Sequence, residues 1–125
     1  MKKQISLIFA VTAVALLGGC AMFQETGQSA VVGTWTNSLG TVWTLREGGI
    51  FDVDLNKDGK PDAWGKYTVT GDTITILEAS GKVPKACRVK ALYHFSRTKD
   101  ALQFTLVKDT CKLRMKNVLL GWHRK

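Results

Sequence analysis

From Val31 to the end of the chain, apolar and polar residues alternate with a period of two, and the alternation is broken at short intervals by Gly, Asn, Asp and Ser. Such alternation turns one face of an extended segment to a dry interior and the other to water. The interrupting residues supply the backbone angles of tight turns. Eight strands are predicted, at 32–36, 41–46, 50–55, 63–70, 73–78, 87–96, 101–108 and 112–119, and no helix of ordinary length fits among them.

Each strand has one apolar face. In the sixth, Cys87, Val89, Ala91, Tyr93 and Phe95 point one way, and Arg88, Lys90, His94 and Ser96 the other. The third offers Phe51 and Val53, the fourth Tyr67 and Val69, the fifth Ile74 and Ile76, the seventh Leu102, Phe104 and Leu106, and the eighth Leu113 and Met115. Antiparallel strands that are dry on one side and joined by short hairpins are best satisfied when the sheet closes on itself and leaves no edge. The predicted fold class is therefore all-β, an eight-stranded antiparallel up-and-down barrel, with a two-sheet sandwich as the alternative. Trp35, Trp43, Phe51, Tyr67, Tyr93, Phe95, Phe104 and Met115 crowd the inner face. Side chains can fill a barrel of eight strands, which favours a packed interior over a large lumen.

The first residues follow a different pattern. Lys2 and Lys3 precede an apolar run over 5–17, which at 13 residues is short of the ~20 that span a bilayer as a helix. Small residues and a cysteine follow, the order of a secretory signal. Leu17-Gly18-Gly19-Cys20 resembles the lipobox of bacterial lipoproteins. That resemblance implies cleavage before Cys20, covalent diacylglycerol and an N-acyl chain on Cys20, and a lipid-anchored place in the cell envelope. Ala21 and Met22, with no Asp after Cys20, resemble lipoproteins sorted to an outer membrane facing the periplasm. An uncut signal anchor is the alternative. The domain division expected is a signal peptide at 1–19, a flexible tether at 20–30 and a barrel domain at 31–125.

Removing the leader changes the charge and the cysteine count. Without Lys2 and Lys3, 16 basic side chains face 10 acidic ones. Residues 20–81 carry 4 basic and 8 acidic groups, residues 82–125 carry 12 and 2. The carboxy-terminal half is thus suited either to anionic headgroups or an acidic partner, or to solvation as a basic surface. With Cys20 committed to lipid, Cys87 and Cys111 are the remaining thiols in an oxidising compartment, and a disulfide between them is expected. If strands six and seven turn near 97–99, Phe95 faces Ala101 and Cys87 lies opposite Lys108 or Asp109, with Cys111 just beyond. Closing that loop contributes ~3 kcal/mol.

Gly33-Thr34-Trp35, Gly65-Lys66-Tyr67 with Gly71-Asp72, Leu102-Gln103-Phe104, Asp109-Thr110-Cys111-Lys112-Leu113-Arg114 and Trp122 together resemble the lipocalin-like (calycin) barrels, and more closely a group of small bacterial lipocalin-like lipoproteins. The resemblance covers 31–125. It implies that Trp35 closes the barrel floor beneath a late arginine, a role for which Arg114 and Arg124 compete; a guanidinium over an indole face is physically sound.

The loop Asp54-Leu55-Asn56-Lys57-Asp58-Gly59-Lys60-Pro61-Asp62 fits D-x-N-x-D-G-x-x-D. Calcium takes six to eight oxygens at ~2.4 Å. Asp54, Asn56, Asp58 and Asp62 are candidate side-chain ligands, with the Lys60 carbonyl and water completing the shell. Position twelve is Gly65, so the bidentate Glu of an EF-hand is absent, and the loop instead resembles the calcium loops of FG-GAP and integrin-type hairpins. A plain polar turn with no ion is the competing reading, and Lys57 and Lys60 dilute its negative field.

No catalytic constellation stands out. His94 falls on the wet face of strand six and His123 near the tail, and the sequence has no nucleophile elbow, phosphate loop or HExxH. The aromatics point inward, against nucleic-acid binding. The function expected is a non-enzymatic, lipid-anchored envelope barrel that binds a small apolar ligand or an envelope protein. The alternatives are a periplasmic inhibitor of a secreted hydrolase such as a protease, and a structural envelope component.

Overall fold

The computed structural model describes residues 26–125, so the signal peptide read at 1–19, the lipidated Cys20 and residues 20–25 of the tether lie outside the described residues. Strands β1 (Gly33–Thr36), β2 (Val42–Arg46), β3 (Ile50–Asp54), β4 (Ala63–Thr70), β5 (Thr73–Gly81), β6 (Ala91–Arg97), β7 (Ala101–Lys108) and β8 (Trp122–Arg124) follow one another around a closed barrel. All neighbouring pairs are antiparallel, and β8 closes the ring by pairing with both β7 and β1. The barrel prediction holds and the sandwich does not.

The period-two pattern builds the interior. Trp35 faces Trp43 across β1–β2, and Leu45 faces Phe51 across β2–β3. These residues, with Tyr67, Ile74, Ile76, Tyr93, Phe95, Leu102, Phe104 and Trp122, are buried in one core. The β4–β5 register shifts between Lys66 and Tyr67, where β5 carries one extra residue, Leu77, between the partners Ile76 and Glu78. At Gly65 a Cβ would stand 2.0 Å from the Glu78 carbonyl oxygen, so the close approach of β5 requires glycine there.

Hairpin loops alternate between the two ends of the barrel. One end is closed by the incoming chain. Gly27 donates to the Gly71 carbonyl at 2.8 Å, a 3-10 turn follows at Gln28–Ala30, and Ala30 and Val31 are fully buried. Residues 28–30, read from sequence as the last of the tether, thus form part of this plug. Trp35 donates its Nε1–H to the Val31 carbonyl at 2.9 Å. The Arg124 guanidinium lies 4.9 Å from the Trp35 ring centroid, and Arg97, which the sequence did not single out, lies at the same 4.9 Å.

The opposite end departs from the prediction. Residues 112–119 are not a strand. Lys112–Val118 is an α-helix, α1, and the last strand comes later at Trp122–Arg124. Leu, Arg, Met and Lys are strong helix formers, and extended Cys111 caps the helix, its Sγ accepting the Arg114 N–H at 3.2 Å. Leu113 and Met115 mimic a period of two over a segment too short to exclude 3.6. The buried face in fact runs through Cys111, Asn117 and Val118 with Met115 partly covered, while Leu113 is exposed.

The sixth strand begins at Ala91 rather than at 87, because Pro84 opens a 3-10 turn over Lys85–Cys87. Val89, expected inside, is therefore exposed. The β6–β7 hairpin turns at 98–100, so Phe95 faces Phe104 rather than Ala101. The four residues Arg97-Thr98-Lys99-Asp100 contain no Gly or Pro to fix the turn in advance. β8 reaches β7 only at Ala101 and Leu102, which leaves the far half of β7 with one strand neighbour and Leu106 exposed.

Candidate functional site

Helix α1 lies across the end of the barrel remote from the incoming chain, and both of its ends are pinned. At its start Cys111 is joined to Cys87, with Cα atoms 4.6 Å apart, as expected from sequence. Beside this bridge, Asp109 accepts from the Cys111 N–H at 2.8 Å, from Arg114 Nε and Nη2 at 2.8 Å each, and from the Tyr93 hydroxyl. The Asp109 side chain is completely buried and that of Arg114 nearly so. Arg114 also donates to the carbonyls of Cys87 and Val89, both at 3.0 Å. Arg114 is therefore not the arginine over Trp35. Its two-pronged pairing with Asp109, five residues earlier, holds it at the helix end, and Arg124 takes the floor position.

Burial pushes the Asp109 carboxyl towards its neutral form. The Arg114 guanidinium, the Tyr93 hydroxyl and the Cys111 N–H outweigh that effect and hold it below the ordinary carboxylate value. The same cluster drives the Tyr93 hydroxyl strongly upward, through burial first and then through the hydrogen bond and charge of Asp109.

At the other end of α1, Asn117 is buried and fully engaged. Its Oδ1 accepts the Thr41 hydroxyl at 2.6 Å and its Nδ2 donates to the Leu113 carbonyl at 3.3 Å. Asn37 Nδ2 donates to the Asn117 carbonyl at 3.2 Å, and Asn37 Oδ1 accepts the N–H groups of Leu39 and Thr41. The sequence assigned no role to Asn37, Thr41 or Asn117, and it marked Asp109 only within the motif Asp109–Arg114 and as a neighbour of Cys87. Three of them sit at turn or strand positions where polar residues are ordinary, and Asn117 fell on the face misread as a strand.

Between α1 and the core lies a cavity of about 80 Å³. Trp43, Phe51, Ile76, Val118 and Trp122 line its inner part, while half-buried Leu55 and Val83 and exposed Leu113 mark its mouth. Side chains fill most of the barrel, as expected, but not this end. The Trp43 ring is held against Phe104 and Trp122, with centroids 5.5 and 5.3 Å away. Its Nε1–H is buried and has no hydrogen-bond acceptor among the described residues.

The β3–β4 loop stands beside the mouth. Carboxylate oxygens of Asp54, Asp58 and Asp62 lie within 4.8 Å of one another, about the span of two calcium–oxygen bonds at ~2.4 Å. Asp62 is buried, and its Oδ2 accepts the Leu55 N–H at 2.8 Å. Asp54 accepts from Asn56 and Gly59, Asn56 Oδ1 from Asp58, and Asp58 Oδ1 from Lys60. Against a desolvation that raises it, the N–H groups of Gly59, Asn56, Asp58 and Lys57 hold the Asp54 carboxyl below its ordinary value. The loop is thus assembled from its own backbone, with three of the proposed ligands together.

The Cys87–Cys111 bridge also gathers charge. It brings residues 82–90 beside 108–116, two segments holding eight basic side chains and one acidic one, Asp109, which is tied to Arg114. Exposed Val89 and Leu113 stand among them. No protein-family model matches this chain, nor does any curated protein or any solved structure.

Proposed function

We propose that this chain is a lipid-anchored envelope lipoprotein whose lipocalin-like barrel binds a small apolar molecule beneath α1, without chemical turnover, and whose β3–β4 loop takes calcium as a structural staple. The observation that carries the reading is the apolar cavity at one end of an otherwise filled barrel. Binding sites for small molecules are characteristically concave and mostly apolar, with few polar groups. Thr41, Arg114 and Asn117 on its wall are committed to internal hydrogen bonds, which suits a binder better than a catalyst. Residues 27–30 pack at the end of the barrel opposite the mouth.

Native mass spectrometry of the full chain extracted gently from its own membranes tests this. The expected result is a population carrying a small non-covalent molecule in addition to the acyl mass at Cys20. Bare polypeptide that takes up no added apolar compound contradicts it. A second reading, inhibition of a secreted hydrolase, draws support from the basic surface around the disulfide with its exposed Val89 and Leu113. Loss of protease activity on adding the full chain would favour it.

A further inference from the structure

The two ends of the barrel differ in what they show to solvent. The hairpin turns at the end closed by the incoming chain, 47–49, 71–72 and 98–100, hold Glu47, Asp72, Lys99 and Asp100 and no apolar residue. Turns of this composition need nothing but water.

The roofed end is of another kind. Thr41, Leu55, Val83 and Leu113 line one cavity, so the β1–β2, β3–β4 and β5–β6 connections meet α1 there. Leu39, Val89, Leu113, Leu119 and Leu120, carried by these segments and by the turn after α1, are each between 42% and 52% exposed. Trp64, near the start of β4, is the one exposed tryptophan of the four. Its ring lies against Gly81, where a Cβ would stand 2.9 Å from Cζ3. Apolar groups gathered on one end and rimmed by polar ones mark a surface that something covers.

Charge says what covers it. Lys82, Lys85, Arg88, Lys90, Lys112 and Lys116 are exposed at this end. Nearby acidic groups do not balance them, since Asp109 is paired with Arg114 and the three aspartates of the β3–β4 loop are offset by Lys57 and Lys60 to a net charge of −1. Interfaces between proteins are depleted in lysine and enriched in arginine, whereas five of these six cations are lysines. A lysine lays its methylene stem along apolar neighbours while its ammonium stays in water, which suits the boundary between acyl chains and phosphates. An exposed indole sits at the same depth.

We propose that the roofed end of the barrel docks on a membrane surface rich in anionic phospholipid, with Leu39, Val89, Leu113, Leu119 and Leu120 entering the headgroup region and the lysines lying on the phosphates. The proposal does not depend on what the cavity holds.

The test places the full chain in phosphatidylcholine nanodiscs, so that any lipid anchor is already engaged. Binding to added vesicles of phosphatidylcholine, alone or mixed with phosphatidylglycerol, is read by co-sedimentation against empty nanodiscs. The mixed vesicles should bind at least about tenfold more tightly, and raised salt should release them. Lys112→Glu with Lys116→Glu should weaken that binding about tenfold or more. Lys99→Glu with Lys125→Glu makes the same change of charge at the opposite end and should leave it within about twofold. Leu119→Ser with Leu120→Ser, at unchanged charge, should weaken it severalfold. Equal binding to both kinds of vesicle, or no binding to either, overturns the proposal. So does equal loss in the two lysine pairs, which would make net charge rather than this face the cause. Polyglutamate bound as tightly as the mixed vesicles also overturns it, and points to an acidic protein as the partner.

Discussion

Arg114 and Arg124 have the same side chain and different energetic roles, because one is nearly buried and the other exposed. Arg124 lies over Trp35 from the solvent side, and Arg124→Ala should cost about 1 kcal/mol in a urea melt. Arg114 pairs with a fully buried carboxylate, and removing one partner of such a pair leaves the other charge uncompensated. Asp109→Asn should therefore destabilise by about 3 kcal/mol at neutral pH. The pH dependence has a definite sign. Asp109 is held below its ordinary value of 3.8 in the folded state, so its contribution is intact well above that pH and fades as pH falls through the lower folded value. Stability measured from pH 6 to pH 2 should show an acid limb that is shallower in Asp109→Asn than in the wild type. An unchanged limb would mean that other carboxylates govern acid unfolding. Trp35 was legible as the floor residue only through the family resemblance that its Gly-x-Trp motif helps to carry. The Asp109–Arg114 pair was not, since the segment between them was read with the wrong period.

That misreading marks the limit of local pattern. Seven of the eight strands announce themselves by alternation over residues that belong to one sheet, and their turns carry Gly, Asn or Asp. Residues 112–118 offer two apolar positions two apart within seven residues, which satisfies a strand while residue propensity favours a helix. What decides is tertiary: the bridge to Cys87, the cap at Cys111 and the buried Asn117 hold a helix across the barrel end. Asn117→Ala removes the Oδ1 that accepts the Thr41 hydroxyl and, at 3.4 Å, Asn37 Nδ2, while leaving the carbonyl that Asn37 also reaches, and should cost about 2 kcal/mol. Amide exchange in α1 should accelerate more than in β4 or β5; uniform acceleration would show that α1 is not a separately pinned element. The β3–β4 hairpin allows another prediction. If calcium closes the Asp54, Asp58 and Asp62 cluster, millimolar calcium should raise the melting temperature by several degrees, given ~10⁻⁴ to 10⁻³ M affinities for extracellular modules. Asp58→Asn should abolish the shift. A melt indifferent to calcium leaves the loop as a backbone-bonded polar turn.

The barrel has two unlike ends. The incoming chain, Ala30, Val31 and the Trp35 cluster seal one, while α1 roofs the other over a space the core does not fill. Closure of the sheet was readable from strand count and one-sided burial. The cavity was not, because it arises where three residues of β8 replace a full eighth strand and a helix bridges the remainder. The same rearrangement brings the basic segments at 82–90 and 108–116 together on the roofed end, away from the point where the chain enters. The account stands on that cavity being a place where a molecule binds. The direct measurement is the melting temperature of the full chain with and without dissolved xenon, a small apolar probe of such cavities, beside Ala79→Leu, which places three further carbons at a buried wall position. The account predicts that xenon raises the melting temperature of the wild type and leaves that of Ala79→Leu where it was. A wild type unmoved by xenon, or a variant stabilised as much as the wild type, contradicts it.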